Sequence, residues 1–578
     1  MFNLKNELKN CLEKIIKNAY PNLNLADFEF AVVVPPQLAF GDYSTNLIFK
    51  LAPIVKEDVK VINQKVVTLL WQENCFKNYF SKLEVAGRGY LNFFIKEDLL
   101  KEVLKKILKN KDKFGSSLTG KGKTVVVDYS SLNVAKLMHV GHLRSTIIGQ
   151  AIYNLYKFLG YKTIGDNHLG DWGTHFGKLI YAYKNFADKK KLRKNFIEEI
   201  TKLYVEFNQK AKNNPKLDEF ARLETKKFQH GNKENIKIWK YFVKESLKEF
   251  NRLYKRLGIK IDYTLGESFY QSMLKKIISE ALKKKVAIHS EGAIIIPLEK
   301  FKLPPLMIQK SDKATLYGTT DLATIKYRMK KWQPNKIFYV VSNEQAGYFP
   351  QVFKAGELLG YLKPGVAQHV KFGMVLNEKG KKFSTREGEV VLLDHFIDEA
   401  INRAYKIVNE KNPKLSPSQK KKIAEVVGLG ALKYNDLSQN RLTDISFNWN
   451  KMLDFQGNSA PYLQYTYARI QSILRKAKIK SLTRFNPELL KEKKEINLIR
   501  QLNNFKGAIE RAAENCLPNI LADHLYKLAN DFNNYYEEVP VIKTEKERRL
   551  ARLALIFSVA QVLKNGLTIL GIKTLEKM

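Results

Sequence analysis

Cysteine is nearly absent: Cys11, Cys75 and Cys516 are the only three in 578 residues, and no Cys-x-x-Cys spacing occurs. Such dispersal points to a reducing compartment and leaves no structural zinc site, whose ligands would cluster in sequence. There is no run of eighteen apolar residues, so no membrane span is expected. The first 19 residues alternate Leu and Ile with Lys and Glu and lack the apolar centre of a secretory signal; they read as an amphipathic helix. Acidic residues are the other shortage, with 58 Asp and Glu against 99 Lys and Arg, a net charge of +41. That surplus favours a polyanionic partner. Because it is spread along the chain, a merely lysine-rich composition explains it too. The 44% of hydrophobic residues suffices for several packed cores, and three or four domains are expected.

The pattern along the chain predicts a multidomain α/β protein. Residues 1–110 read as an α+β module, with an opening helix, a strand over 28–34, Pro35-Pro36 and a turn at Gly41-Asp42. Residues 111–123 have linker composition, rich in Lys, Gly and Ser. Residues 124–394 alternate strands with helices as a doubly wound, Rossmann-like parallel sheet does, with strands expected at 124–128, 163–167, 293–297, 336–341 and 370–375. A charged helical stretch over 189–257 reads as an insertion between two halves of that sheet. Residues 395–578 are all-α, with helices expected over 393–409, 416–434, 460–477, 491–515, 518–537 and 546–570. No internal repeat is evident.

Four segments carry chemistry. The first is Ser131, Leu132, Asn133, Val134, Ala135, Lys136, Leu137, Met138, His139, Val140, Gly141 and His142, between a β-branched strand and a helix with Leu143, Ile147, Ile148 and Ala151 on one face. A helix N-terminus at that point offers free N–H groups to phosphate, and Gly141 permits close backbone approach. His139 and His142, three apart, suit hydrogen bonding to a phosphorus centre as charge develops. Read alone, this turn is equally a helix start with a capping histidine. The second segment, Asp166-Asn167-His168-Leu169-Gly170-Asp171-Trp172-Gly173-Thr174-His175, follows a strand, where ligands of open parallel sheets bind; it also fits a glycine-rich turn with a buried Trp172. The third, around Lys382, Phe383, Ser384, Thr385 and Arg386, is a basic loop suited to closing over a triphosphate, or a solvated basic hairpin. The fourth places Tyr317 and Asp321 at a loop-to-helix junction, where a single Asp is more simply a helical N-terminal charge. With Asp128, Asn133, Glu267 and Gln345, Asp321 gives an acceptor-rich set suited to the planar donors of a guanidinium.

Taken together and in order, these segments resemble the arginyl form of the class I aminoacyl-tRNA synthetases. The first is similar to the family's "HIGH" region. Asn167-His168-Leu169-Gly170-Asp171-Trp172-Gly173-Thr174, Lys433-Tyr434-Asn435-Asp436-Leu437-Ser438-Gln439-Asn440-Arg441, Asn448-Trp449-Asn450-Lys451-Met452-Leu453 and Pro461-Tyr462-Leu463-Gln464-Tyr465 carry the likeness over nearly the whole chain. So do Phe40-Gly41-Asp42-Tyr43-Ser44-Thr45-Asn46 and Val85-Ala86-Gly87-Arg88-Gly89-Tyr90-Leu91-Asn92, which resemble the module that holds the tRNA corner, with Arg88 in place of a customary proline. The basic loop matches the "KMSKS" motif in part, because Thr385 stands where most class I enzymes have a second lysine. The substitute usual in the arginyl family, a lysine before the His-x-Gly-His turn, is present as Lys136. Tyr348 stands where the family commonly has histidine, and no role is assigned to it.

The resemblance implies ATP-dependent ligation of L-arginine to its tRNA through arginyl-adenylate, releasing AMP and pyrophosphate. It implies catalytic roles for His139, His142, Lys136 and Lys382, and ATP binding by these two histidines with Gly141, Lys382, Ser384 and Arg386. Arginine is expected at Asn133, Tyr317, Asp321 and Gln345, with Glu267 and Asp128. Anticodon recognition is expected in the C-terminal bundle at Tyr462, Tyr465, Arg469 and Met578, with Tyr467, Arg475 and Lys476 nearby and at least one tyrosine in the core. Magnesium is expected on the nucleotide phosphates and not in a protein cage. A cytoplasmic monomer that needs tRNA even for adenylate formation is the expectation. Two alternatives stay open: a class I synthetase for another amino acid, and a catalytically silent RNA-binding relative.

Overall fold

A computed structural model describes residues 4–24, 28–35, 37–87, 89–376, 380, 391–478, 482 and 484–578. The chain forms two compact units, one of residues 1–114, 469–508 and 524–565, the other of 115–468, 509–523 and 566–578.

The second unit is built on a five-stranded sheet in the order Ala367–His369, Lys336–Tyr339, Thr124–Asp128, Lys162–Asn167, Tyr263–Thr264, every neighbour parallel. Val125, Val126 and Val127 of the central strand are fully buried, as a strand covered on both faces requires. Helix Gly141–Phe158 follows the central strand, and helix Tyr317–Trp332 precedes Lys336–Tyr339. Ile325, Leu322, Ile337 and Phe349 share a core with helix Glu267–Lys283. The insertion comprises helices Lys189–Lys194, Phe196–Asn213, Lys216–Gln229 and Lys233–Leu257. Helix Pro417–Leu437 starts with a full capping box, Ser416 and Gln419 bonding reciprocally.

Three expected strands differ. Ala293–Ile296 belongs to a separate antiparallel sheet with Ile288–Ser290 and Leu306–Gln309. It is reached through a two-residue turn in which Glu291 and Gly292 both have positive φ, the geometry that folds a strand back on itself instead of crossing over. The stretch 370–375 is not one strand: Ala367–His369 ends before it, and only its last residue belongs to a strand, Val375–Leu376. Gly373 interrupts it where a Cβ would lie 2.5 Å from the Thr443 backbone. Only Val32–Val33 of 28–34 is a strand, while the two-residue edge strand Tyr263–Thr264 went unanticipated.

The first unit holds a four-stranded antiparallel sheet, Val32–Val33, Tyr43–Thr45, Tyr90–Ile95, Phe80–Ala86. At the Gly41-Asp42 turn Gly41 has φ +85°, and a Cβ there would meet the Phe93 carbonyl oxygen at 2.6 Å. Asp42 accepts from the Ile95 N–H at 2.8 Å and faces Arg500 at 3.3 Å. Cys11 and Cys75 are disulfide-bonded. Sequence dispersal therefore did not exclude pairing, and the reducing-compartment reading loses its premise; helix Leu4–Ala19 packs beside helix Asn74–Tyr79 and brings the two together. Among the described residues one helix, Lys546–Ile569, is long and apolar enough to cross a membrane, and 83% of its apolar window is buried inside the fold.

Candidate active site

The carboxyl ends of the parallel strands open into a cavity of about 880 Å³. Its lining gathers Asp128, Asn133, His139, Gly141, His142, Glu267, Tyr317, Asp321 and Gln345, residues far apart in the sequence. Gaps in the chain are closed here by topology: strand ends converge on one edge of the sheet.

The His-x-Gly-His turn is held by unusual backbone. Ser130, Ser131 and Ala135 all have positive φ, strain that persists only when neighbours fix it. Those neighbours are identifiable. Ser131 N–H donates to Asn167 Oδ1 at 3.0 Å, Ala135 N–H to Ser246 Oγ at 3.0 Å, and Val134 N–H to the Gly170 carbonyl at 3.1 Å. Gly170 has no room for a side chain, since a Cβ would lie 2.0 Å from Asn133 Oδ1. Gly141 opens helix Gly141–Phe158, and a Cβ there would press on the His139 ring at 2.9 Å.

The two histidine rings lie against each other, centroids 3.8 Å apart and planes tilted by 42°. His139 Nδ1 accepts from the Gly141 N–H and His142 Nδ1 from the His139 N–H, each at 3.1 Å. Burial, then the neighbouring His139, holds His142 down at about 3; burial and the Lys136 charge lower His139 as well. Both rings are therefore neutral near pH 7, and because each Nδ1 is an acceptor, the proton sits on Nε2. The turn presents two neutral N–H donors beside a helix N-terminus. Lys136 is exposed, and its charge reaches His139, His142 and His175.

The opposite character gathers around Asp321. Tyr348 Oη donates to Asp321 Oδ2. Burial raises the Asp321 carboxyl to about 6, an effect the Tyr348 bond opposes. Glu267, first residue of helix Glu267–Lys283, is pushed up to about 8 by burial and then by the charges of Asp171 and Asp321. Asp171 accepts from Ser268 N–H and Ser268 Oγ, at 2.8 and 2.6 Å. Neither Glu267 nor Asp321 has an ion-pair partner among the described residues. Tyr317, 71% exposed, stands at the mouth, and Gln345 is exposed on the lining.

Asp128 differs from its expected use. It lines the cavity, yet its Oδ2 accepts from Arg328 Nη2 at 2.8 Å and its Oδ1 from Ser131 Oγ at 2.9 Å. Asp128 and Asp166 are register partners on adjacent strands, and Arg328, fully buried, bridges them, donating from Nε to Asp166 at 2.9 Å. Without that guanidinium two carboxylates would face each other in the core.

Lys382, Thr385, Ser384 and Arg386 lie outside the described residues, as does Arg88. The flanks of the basic loop are described: one lines the cavity, and the other pairs with the His-x-Gly-His turn. Phe372, Gly373, Met374 and Val375 line the cavity on one side. On the other, Val140 N–H donates to the Val391 carbonyl and Leu393 N–H to the Met138 carbonyl, at 3.2 and 2.9 Å. Arg144, fully buried behind the turn, donates to Asp436 and to the carbonyls of Gly373 and Thr443. The Lys433–Arg441 segment thus braces the site from behind: Lys433 Nζ also reaches the Gly571 carbonyl at 2.6 Å.

Of the expected anticodon residues, Tyr462 departs from expectation: it is buried, like Tyr467, and packs in the core instead of offering a stacking face. Tyr465 is exposed and, with Met578, Phe455 and Lys411, lines a cavity of about 450 Å³. Arg469 donates to Asn533 Oδ1 at 3.2 Å and lies over the Tyr536 ring. Sequence reading gave Tyr348 no role, although it sits three residues after Gln345, and placed Asp171 in a segment without a role of its own; for the buried Arg328 and Arg144 there was no signal.

A family model described as tRNA synthetases class I (R), catalytic domain, matches residues 103–449. Models for the DALR anticodon binding domain and the arginyl tRNA synthetase N terminal domain match 463–578 and 3–95. An arginine–tRNA ligase of Fusobacterium nucleatum is 44% identical over 577 residues, with 99% of each chain covered. One of Halothermothrix orenii is 40% identical over 573 residues, covering 99% of this chain and 100% of the relative. The crystal structure of an arginyl-tRNA synthetase from Plasmodium falciparum matches with a TM-score of 0.85 at 28% identity, 100% of both chains covered. The chain belongs to the class I arginyl-tRNA synthetase family.

Proposed function

We propose that the protein charges tRNA(Arg) with L-arginine at the expense of ATP, and that the cavity is polarised for it. The observation that carries the reading is that polarity: neutral donors and a helix N-terminus at the His139–His142 turn, and carboxylates without a cation around Asp321. The guanidinium of arginine belongs at the acidic end, where Asp321 and Glu267 accept its donors and Asn133, Tyr317 and Gln345 fix the rest of the molecule. Asp128 is assigned a positioning role through Arg328 and Ser131. The triphosphate belongs at the donor end, against Gly141, His139 and His142, with Lys136 and the loop residues Lys382, Ser384 and Arg386.

An oxygen of the arginine carboxylate then attacks the α-phosphorus, the bond to the β-phosphate oxygen breaks, and pyrophosphate leaves. In the second step a ribose hydroxyl of the tRNA terminus attacks the acyl carbon, AMP departs, and the hydroxyl proton passes to phosphate or solvent. The protein contributes position and charge stabilisation. Neutral histidines suit this, since they donate to the pentacovalent phosphate without binding the ground-state triphosphate as tightly as cations would. Magnesium would be held through the nucleotide phosphates and water and would neutralise charge on the departing pyrophosphate. The reading includes action as a monomer in the cytoplasm, where the three substrates meet. A lysine at the acidic end leaves buried acceptors unpaired, so selectivity needs no editing.

Charging of tRNA with each of the twenty amino acids tests the reading. Arginine alone is expected to be esterified, with ATP consumed; charging with another amino acid, or none, overturns it.

A further inference from the structure

The insertion helix Lys233–Leu257 turns one face to the site. Ser246 Oγ accepts from Ala135 N–H, Tyr254 Oη pairs with Ser130 Oγ at 2.7 Å, and Trp239 Nε1 donates to the Asp171 carbonyl at 2.8 Å. Its opposite face is a lysine stripe. At 3.6 residues per turn Lys233, Lys237, Lys240, Lys244, Lys248 and Lys255 fall within an arc of about 80°, away from buried Ile238, Phe242, Ser246, Phe250 and Leu253. Lys248 bonds Glu245. The others have no ion-pair partner among the described residues, whereas on helix Phe196–Asn213 Lys202 and Lys210 face Glu199 and Glu206. With 99 Lys and Arg against 58 Asp and Glu, unpaired lysines also occur on other helices, as at Lys275, Lys276 and Lys283; what sets this helix apart is the run of them along one face. Beside the stripe Trp239, Val243 and Leu247 floor a groove of about 460 Å³ walled by Lys240, Lys244 and Lys248.

We propose that this stripe is a docking surface for the sugar-phosphate backbone of the tRNA arm whose end enters the cavity, a proposal that rests on the function above. Charge complementarity commits it to RNA: unpaired cations three and four residues apart, over about 10 Å from Lys237 to Lys244, match a line of phosphates and present no acceptors for base edges. The location follows as well, because the helix carrying the stripe buttresses the turn that receives ATP. The contact is to backbone and indifferent to sequence.

The test is a triple variant, Lys237→Gln, Lys240→Gln and Lys244→Gln, beside a control of equal charge change at exposed Lys275, Lys276 and Lys283 on another helix. Aminoacylation is measured against tRNA(Arg), arginine and ATP from about 50 to 200 mM salt. Loss of three phosphate contacts is expected to raise KM for tRNA roughly ten- to a hundredfold near physiological salt and to flatten its log–log salt dependence by about 2–3. KM for arginine and ATP stays at the wild-type value, which also shows that the variant folds. A wild-type tRNA KM and salt slope in the stripe variant overturn the proposal, and so does an equal effect in the control. Failure of the wild-type protein to charge any tRNA with arginine instead overturns the proposed function.

Discussion

Tyr348→Phe deletes one oxygen, and its consequence is a displaced pH profile. The hydroxyl donates to Asp321 Oδ2 and so favours the ionised carboxyl that burial has already raised to about 6. A hydrogen bond to a charged group contributes about 1.5–3 kcal/mol, and about 1.36 kcal/mol corresponds to a tenfold change in protonation. Removing it moves the Asp321 midpoint to roughly 7–8. The sign follows: a protonated Asp321 cannot offer its charge to a guanidinium, so KM for arginine climbs as pH falls through the midpoint, below about 6 in the wild type and roughly one to two pH units higher in the variant. At pH 7 the variant's KM is about two- to tenfold higher from protonation alone, and the curves converge near pH 9. Glu267 titrates in the same region, at about 8, with Asp171, Asp128 and Arg328 as fixed neighbours, so the comparison belongs in a Glu267→Gln background. KM for arginine from about pH 5.5 to 9, by pyrophosphate exchange with tRNA present, is the assay, and Asp321→Asn serves as the high-KM, pH-insensitive reference. Superimposable profiles with and without the Tyr348→Phe substitution refute the reasoning.

Other perturbations separate binding from stability. Glu267→Gln stabilises the free protein, because the wild-type carboxyl ionises near its ordinary 4.5 when unfolded but only at about 8 when folded. The gap opens above about pH 4.5 and levels off above about 8, at no more than about 4–5 kcal/mol; thermal unfolding that shows equal gaps at pH 4 and pH 8.5 contradicts it. The same variant weakens arginine binding, a cost in function for a gain in stability. Lys136→Ala cuts adenylate formation by orders of magnitude and leaves arginine binding nearly intact; an unchanged pyrophosphate exchange rate with tRNA present rules the lysine out. Arg328→Met leaves Asp128 and Asp166 facing each other unpaired and destabilises by about 3–5 kcal/mol, read as a lowered denaturant midpoint; an unshifted midpoint shows that the pair reorganises without cost.

Helices were the legible part of the chain, because their burial repeats every third or fourth residue and their ends carry local chemistry, as at Ser416. Strands were legible where both faces are buried, as in Thr124–Asp128, and illegible where pairing decides. Ala293–Ile296 reads like a parallel strand, and only the Glu291-Gly292 turn reveals the hairpin. Site residues carried by motif order, such as Asn133, Asp321 and Gln345, converge on one cavity. What stayed hidden is long-range electrostatics. Arg328 satisfies two aspartates 162 and 200 residues away, and nothing around Arg328 in sequence marks it. Likewise Tyr462 and Tyr465 look alike as stacking residues, and only helix packing tells the buried one from the exposed one.

That convergence bears on how the proposed phosphate clamp is divided. Lys136 lies in the turn, three residues before His139, and Thr385 occupies the place of the second loop lysine. The backbone joins the two halves: Met138 and Val140 pair with Leu393 and Val391, the first described residues after the basic loop. Arg256 and Arg252 of the lysine-striped helix hold Asp394 next in line. A cation carried on Lys136 is therefore fixed to the same ladder that anchors the loop, and its position is set by the turn and not by loop closure. The Lys136 charge adds to burial, the larger cause, in lowering His139 and His142, and so favours neutral donors at the turn.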